Sequence, residues 1–255
     1  MSKLPKANQF FDISDYGRPI AKGIAAYFKN TAVTPIHITI SFIISGLLAI
    51  AFLVNHHYWI AAFFLILKSI LDAADGELAR IKKTPSYTGR YFDSISDILL
   101  NFMIILAIWH VTKGSIMYAI LAFIGLQLQG TLYNYYYVIL RNKHNGDTTS
   151  RIFETKTPKA MKGEKQSRVN LFFNLYLLLY SVFDKTIYWL DRKAIYDHRW
   201  PNWFMTAISC FGLGFQLLLI ALFLIFDQIH LIIPFFIGYS LLIFVFVLIR
   251  KSINR

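Results

Sequence analysis

The sequence predicts an all-α integral membrane protein: six transmembrane helices preceded by an amphipathic juxtamembrane helix, with a further interfacial helix near 169–190. Three observations carry that expectation. Hydrophobic residues make up 56% of the chain and its mean hydropathy is +0.48, outside the range of soluble domains. Uncharged apolar runs recur along nearly the whole length after residue 33, so 1–255 reads as a single membrane domain with short polar loops. The formal charge of +12 is gathered in the loops beside those runs, where Lys and Arg fix topology and attract anionic membrane lipids. In a soluble chain that charge would suggest nucleic acid; here no nucleic-acid partner is expected.

Residues 1–8 carry Lys3 and Lys6 but lead into no compact apolar stretch with a small-residue cleavage site, so the first spanning helix is expected to do the targeting. Segment 13–30 places Arg18, Lys22 and Lys29 on one side and Ile20, Ile24, Tyr27 and Phe28 largely on another, as a helix lying on the cytoplasmic leaflet does. A helix needs about 20 apolar residues to cross the hydrocarbon core. The candidates are 35–54, 58–75, 93–112, 115–140, 169–190, 203–227 and 230–249.

Loop charge decides among them. The loop 76–92, with Arg80, Lys82, Lys83 and Arg90, and the loop 141–168, with Arg141 and Arg151 among its eight basic residues, belong in the cytoplasm. The connections Asn55–Tyr58 and Thr112–Gly114 carry only Lys113 and belong outside. The first four spans, 35–140, then alternate from a cytoplasmic N-terminus. The basic tail 250–255 also requires the cytoplasm, which an odd number of spans forbids. Segment 169–190 is the one to demote, because it contains Asp184, Lys185 and a polar stripe of Asn170, Asn174 and Ser181. A basic cytoplasmic loop and interfacial helix thus occupy 141–202, and 203–249 holds the last two spans, with Arg192, Lys193 and Arg199 on the cytoplasmic side.

Cys210 is the lone cysteine, which excludes an intrachain disulfide and a cysteine-based zinc or iron–sulfur site. Chemistry must come from oxygen or nitrogen groups. Ionisable residues inside membrane helices are costly and mark function. Asp72 and Asp75, three apart, end the second span; Asp93 and Asp97, four apart, begin the third, so each pair shares a helix face. A short connection makes these spans antiparallel neighbours and brings the pairs to one depth. Carboxylates that close cannot all stay ionised uncompensated, and two of them also face the unfavourable end of a helix dipole. Two divalent cations are the natural remedy, and hard carboxylate oxygens favour Mg²⁺, Mn²⁺ or Ca²⁺ over softer metals. The bland alternative pairs these aspartates with Arg80, Lys82, Lys83 or Arg90, which would not require such spacing. Gly76, Ala79 and Gly89 let backbone approach a bulky ligand such as a nucleotide.

The run Asp72-Ala-Ala-Asp75-Gly76-Glu-Leu-Ala79-Arg80, followed after eight residues by Gly89-Arg-Tyr-Phe-Asp93-Ser-Ile-Ser-Asp97, resembles the signature of the CDP-alcohol phosphotransferases at every motif position. The motif covers 72–97, and the likeness of a six-span core with a juxtamembrane helix extends over most of the chain. The resemblance implies that Asp72, Asp75 and Asp93 ligate two divalent cations, Mg or Mn, and that Asp97 joins the metal site and acts as general base. It implies that Gly76, Ala79 and Gly89 line the cytidine diphosphate pocket, with Arg80 near the phosphates or supporting the aspartates. It further implies transfer of a substituted phosphate group from a CDP-linked donor to an alcohol acceptor, at least one of them lipid, with release of CMP. The setting implied is phospholipid biosynthesis by a homodimer in a bacterial inner membrane, the active site facing the cytoplasm.

One departure is visible. Many members carry Pro-Asn-x-hydrophobic-Thr at the start of the first span, and this chain has Pro35-Ile36-His37-Ile38-Thr39, so the asparagine is missing and His37 is the polar candidate to replace it. The motif reads the CDP and not the alcohol. A CDP-diacylglycerol donor is slightly preferred; CDP-choline, CDP-ethanolamine and polyol types are the alternatives. Arg141 and Arg151 could meet a phosphorylated acceptor, and Asn134 with Tyr133, Tyr135, Tyr136 and Tyr137 could meet a headgroup or form an interfacial aromatic belt. A carboxylate-based cation transporter is the rival from another class, disfavoured because all four aspartates lie near one face and no repeat is present.

Overall fold

The computed structural model describes residues 4, 9–144, 154, 156–196 and 200–253, and among them the regular structure is helical. A short 3₁₀ turn at Ile13–Asp15 leads into α1 (Arg18–Phe28), then α2 (Pro35–Val54), α3 (Tyr58–Lys82), α4 (Tyr87–Thr112) and α5 (Ile116–Lys143). After a long connection come α6 (Gln166–Leu190), α7 (Asn202–Ile208), α8 (Leu213–Ile225), α9 (Ile229–Tyr239) and α10 (Leu242–Ile253). Arg151 and Arg199, to which the sequence assigned roles, lie outside the described residues.

The expected loop 76–92 is mostly helix. Leu78, Ala79 and Arg80 are strong helix formers, so α3 runs on to Lys82 and stops where Lys83 turns left-handed (φ 54°), two residues before Pro85. The connection shrinks to 83–86, and Ser86 then caps α4 by accepting a hydrogen bond from the Gly89 N–H at 2.8 Å. All four aspartates therefore sit inside helices joined by one tight turn.

Among the described residues, four helices or helix pairs are long and apolar enough to cross a membrane: α2, α4, α5 and the run 229–253. Joining Asn202–Phe211 to Leu213–Ile225 across a 52° bend gives a fifth. Six are not reached on length and apolarity alone, because α3, although 25 residues long, carries Lys68, Asp72 and Asp75 within the stretch that would cross. Its apolar half is nonetheless in the main core, where Ala61 and Leu65 pack with Ala49 and Leu53 of α2, Ile104 and Ile108 of α4, and Leu217 and Leu224 of α8.

Helix α1 docks on α3 through a face of small residues that the periodicity did not single out. Ala21 and Ala25 are its buried residues and meet Ala74 and Leu78, while Ile20 and Tyr27 point outward. The small side chains allow close helix approach and leave the large apolar ones at the outer surface. The preceding turn is tied down more firmly than an interfacial anchor requires: Asp12 accepts from the Tyr133 hydroxyl of α5, and the Ile13 N–H donates to Ser209 Oγ at 2.9 Å. The bend at Gly212 makes room for it, since a β-carbon at Gly212 or Gly214 would run into Ser14.

Helix α6 packs on α4 and α5, with Phe173 and Tyr176 against Tyr91 and Ile95, and the Tyr180 hydroxyl donating to the Ser94 carbonyl at 2.7 Å. Its Asn170 and Asn174 face outward beside Leu171, Leu175 and Leu178. Tyr133, Tyr135 and Tyr136 of α5 are buried, and Tyr137 partly so. Tyr136 donates to Asp191 Oδ2 at 2.6 Å and Tyr135 to the Asp191 carbonyl at 3.1 Å. Arg250 from α10 grips the same buried carboxylate.

Candidate active site

The last turns of α3 and the first turns of α4 form the site. Because the two helices run antiparallel from the 83–86 turn, the side chains of Asp72 and Asp75 face that of Asp93, and one carboxylate oxygen from each lies within 4.8 Å of the others. Asp75 is buried, and Asp72 and Asp93 are partly so. Asp93 Oδ1 is shut off from solvent without a hydrogen-bond donor. A buried anionic oxygen with no donor is costly, and a hard cation shared with its two neighbours satisfies it. The donor set, all carboxylate oxygen, suits Mg²⁺ or Mn²⁺.

Around this cluster, Thr39 of α2 donates to Asp75 Oδ2 at 2.7 Å and orients it. The threonine of the first-span pattern is thus present and in contact, whereas Ile36 stands at the missing asparagine and is exposed. His37 does not take over: it lies at the surface, where its Nδ1 accepts from the Thr34 N–H at 3.0 Å and caps α2.

Arg80 lies 3.0 Å from Glu77 and lays its guanidinium over Gly76, within 3.4 Å of where a β-carbon would be. Its Nε is buried without a partner, leaving a donor of fixed geometry beside the cluster. Glu77 also pairs with Arg18 of α1. Ala79 accepts the Thr84 N–H at 3.0 Å and closes α3, and Gly89 sits in the first turn of α4 against Ser86.

Three residues that the sequence reading passed over complete the surroundings. Lys68, one turn before Asp72 and fully buried, places its Nζ 2.6 Å from Asp97 Oδ1. An intramembrane lysine is itself a signal of function, so this one could have been found. The three aspartates whose oxygens converge within 4.8 Å are Asp72, Asp75 and Asp93, and Asp97 is paired with Lys68. Arg80 and Arg90 pair with Glu77 and Glu154, and Lys82 donates to the carbonyls of Thr31 and Val33; a cation that does reach an aspartate is Lys68. Glu164 is the second, accepting from Ser86 Oγ at 2.8 Å and from the N–H groups of Tyr87 and Thr88 at 3.2 and 2.7 Å. Burial pushes its carboxyl up, but the hydrogen bonds from Thr88, Ser86 and Met161 outweigh this and hold it below the usual glutamate range. Glu154 is the third, beside Arg90 at 2.6 Å.

Comparison with known proteins now bears on this geometry: the family model described as CDP-alcohol phosphatidyltransferase matches residues 32–248. The chain belongs to the CDP-alcohol phosphatidyltransferase family. No curated protein matches the chain. Membership makes it a transferase that moves a phosphate–alcohol group from a CDP-linked donor, and the matched span contains α2 to α9 entire, with Asp72, Asp75, Asp93 and Asp97. A carboxylate-based transporter has no support from this membership.

Proposed function

We propose that this protein is a metal-dependent phospholipid-synthesising enzyme that transfers a phosphatidyl group from CDP-diacylglycerol to a polar alcohol. The observation that carries the reading is the convergence of Asp72, Asp75 and Asp93 within 4.8 Å beside Gly76 and the unpartnered Nε of Arg80. Divalent cations held there would neutralise the pyrophosphate and stabilise the departing CMP. The residues of this chain do the rest. Gly76, Ala79 and Gly89 give the nucleotide room along the α3–α4 turn, and Arg80 directs its donors at the phosphates. Asp97 accepts the proton of the attacking hydroxyl. That oxygen bonds to the lipid-linked phosphorus, the bond to the bridging oxygen breaks, and CMP leaves with the electron pair.

A lipid-borne donor is supported by α1. It lies against the α3 turn that carries Ala74 and Leu78, and its outward Ile20 and Tyr27 suit insertion at an interface, from which acyl chains would reach the site. The loop charges support a cytoplasmic opening and, with α3 counted, six crossings with α6 at the interface. A homodimer in a bacterial inner membrane is the remaining expectation of the family.

The test is CMP release by purified protein in lipid, with Mg²⁺ or Mn²⁺, across CDP-diacylglycerol, CDP-choline, CDP-ethanolamine and polyol-linked CDP donors with matching acceptors. Metal-dependent release from CDP-diacylglycerol alone is expected. Release from CDP-choline or CDP-ethanolamine with diacylglycerol would replace the donor assignment, and silence with every pair would overturn the reading.

A further inference from the structure

Asp97 differs from the other three motif aspartates in its surroundings. One helical turn from Asp72 toward the start of α3 lies Lys68, and one turn from Asp93 toward the end of α4 lies Asp97, so the antiparallel pair sets the two opposite each other. The Lys68 ammonium is 2.6 Å from Asp97 Oδ1 and none of the side chain is exposed. It also stands 4.9 Å from the centre of the Phe42 ring of α2, whose face favours a cation, and it feels the charges of Asp72 and Asp93. An ammonium wholly removed from water is retained only where its partner is fixed, and removing either member strands the other charge.

We infer that Lys68 is a positioning residue, which pins one oxygen of Asp97 and so fixes that carboxylate with its other oxygen turned to the acceptor hydroxyl. This rests on the phosphoryl-transfer reading above, in which Asp97 takes the hydroxyl proton. Asp72, Asp75 and Asp93 converge within 4.8 Å, and the contact with Lys68 sets the orientation of Asp97 one turn further along α4. Without the ammonium, the Asp97 carboxylate could rotate and lose its place beside the hydroxyl.

The experiment compares the wild type with Lys68→Met, Asp97→Asn and the double variant, purified in lipid with Mg²⁺ and the donor–acceptor pair that the wild type uses. CMP release gives kcat and KM for each substrate, and binding of the CDP donor is measured separately. The expected result is a kcat lowered roughly 100-fold in Lys68→Met, with donor KM and donor binding within about threefold of wild type. Because the lysine acts through the aspartate, adding Lys68→Met to Asp97→Asn should lower the residual rate less than about threefold. The double variant, in which neither charge is stranded, serves as the folded reference. A Lys68→Met enzyme with wild-type kcat overturns the inference while the transfer reaction stands. So does donor binding lost in step with kcat, or a Lys68→Met effect of full size in the Asp97→Asn background. A wild type silent with every donor overturns the transfer reading, and the inference with it.

Discussion

At the scale of single residues, the four aspartates of one sequence motif fall into two settings, a cluster of three and a lysine-paired fourth, and each setting predicts a different phenotype. Asp93→Asn removes a charge from the cluster whose oxygens approach within 4.8 Å, so metal-dependent nucleotide binding should be lost along with turnover. Asp97→Asn should leave donor binding nearly intact and lower kcat by about 10²–10⁴, the usual value of a positioned general base. Isothermal titration with the CDP donor beside CMP-release kinetics separates the two, and a near-normal rate in Asp97→Asn would end its assignment as base. Thr39→Val deletes the hydroxyl that donates to Asp75 Oδ2 at 2.7 Å. Loss of a group that orients a metal ligand typically costs 10–100-fold in metal affinity, so the Mg²⁺ needed for half-maximal rate should rise by about that factor. The aspartates were legible because their chemistry demands fixed spacing on adjacent turns. Thr39 was legible as part of a pattern, but its partner, 36 residues away, was not.

At the scale of elements, the start of α4 deserves its geometry to a residue that sequence spacing could not connect with it. Ser86 satisfies the Gly89 N–H, and Glu164, 76 residues from Thr88, accepts from the Tyr87 and Thr88 N–H groups and places a negative charge at the positive end of the helix. The first turn of α4 leads directly into Asp93, so this cap holds the site as well as the helix. Glu164→Ala should cost about 1 kcal/mol of local stability, the typical value of a lost cap. Amide hydrogen exchange at Tyr87 and Thr88 should speed up accordingly, with little change at Ile104. The folded-state pKa of Glu164 lies below its unfolded value, so its contribution is present in full at neutral pH. It is lost as pH falls through that lowered value, beneath the ordinary glutamate range. In the wild type, protection of those two amides should therefore fall in acid, and in Glu164→Ala it should not depend on pH there. The extension of α3 to Lys82 was not legible for another reason: its charges favour a cytoplasmic position without specifying a loop, and Glu, Ala, Arg and Lys are all good helix formers.

At the scale of the whole molecule, the ends of the chain are tied to the bundle by polar contacts, and hydropathy alone cannot reveal such contacts. At the N-terminal side, Asp12 and Ile13 are held by Tyr133 and Ser209 across a bend that glycine keeps open. At the C-terminal side, Arg250 was counted as one of the basic residues that fix topology, but it is 2% exposed and bound to Asp191, itself 1% exposed and also gripped by Tyr136 at 2.6 Å. The order and length of the helices could be read from apolar runs, because the bilayer sets them. Which loop residue would meet which helix end could not, because these contacts span 55 to 196 residues and leave no local pattern. Burial changes what Arg250 is worth. A surface arginine contributes little through one ion pair, whereas breaking a buried pair by removing one partner costs about 3–5 kcal/mol, because the other charge is left stranded. Arg250→Met should therefore lower the thermal midpoint of the purified protein by several degrees, while Arg250→Met with Asp191→Asn should recover part of the loss by leaving no stranded carboxylate. The pair lies apart from the aspartate cluster, so CMP release measured well below the midpoint should stay near wild type in the double variant. Scanning thermal denaturation of the three proteins decides the matter: if Arg250→Met melts with the wild type, Arg250 acts only as a topological charge, and α10 is held by its apolar contacts alone.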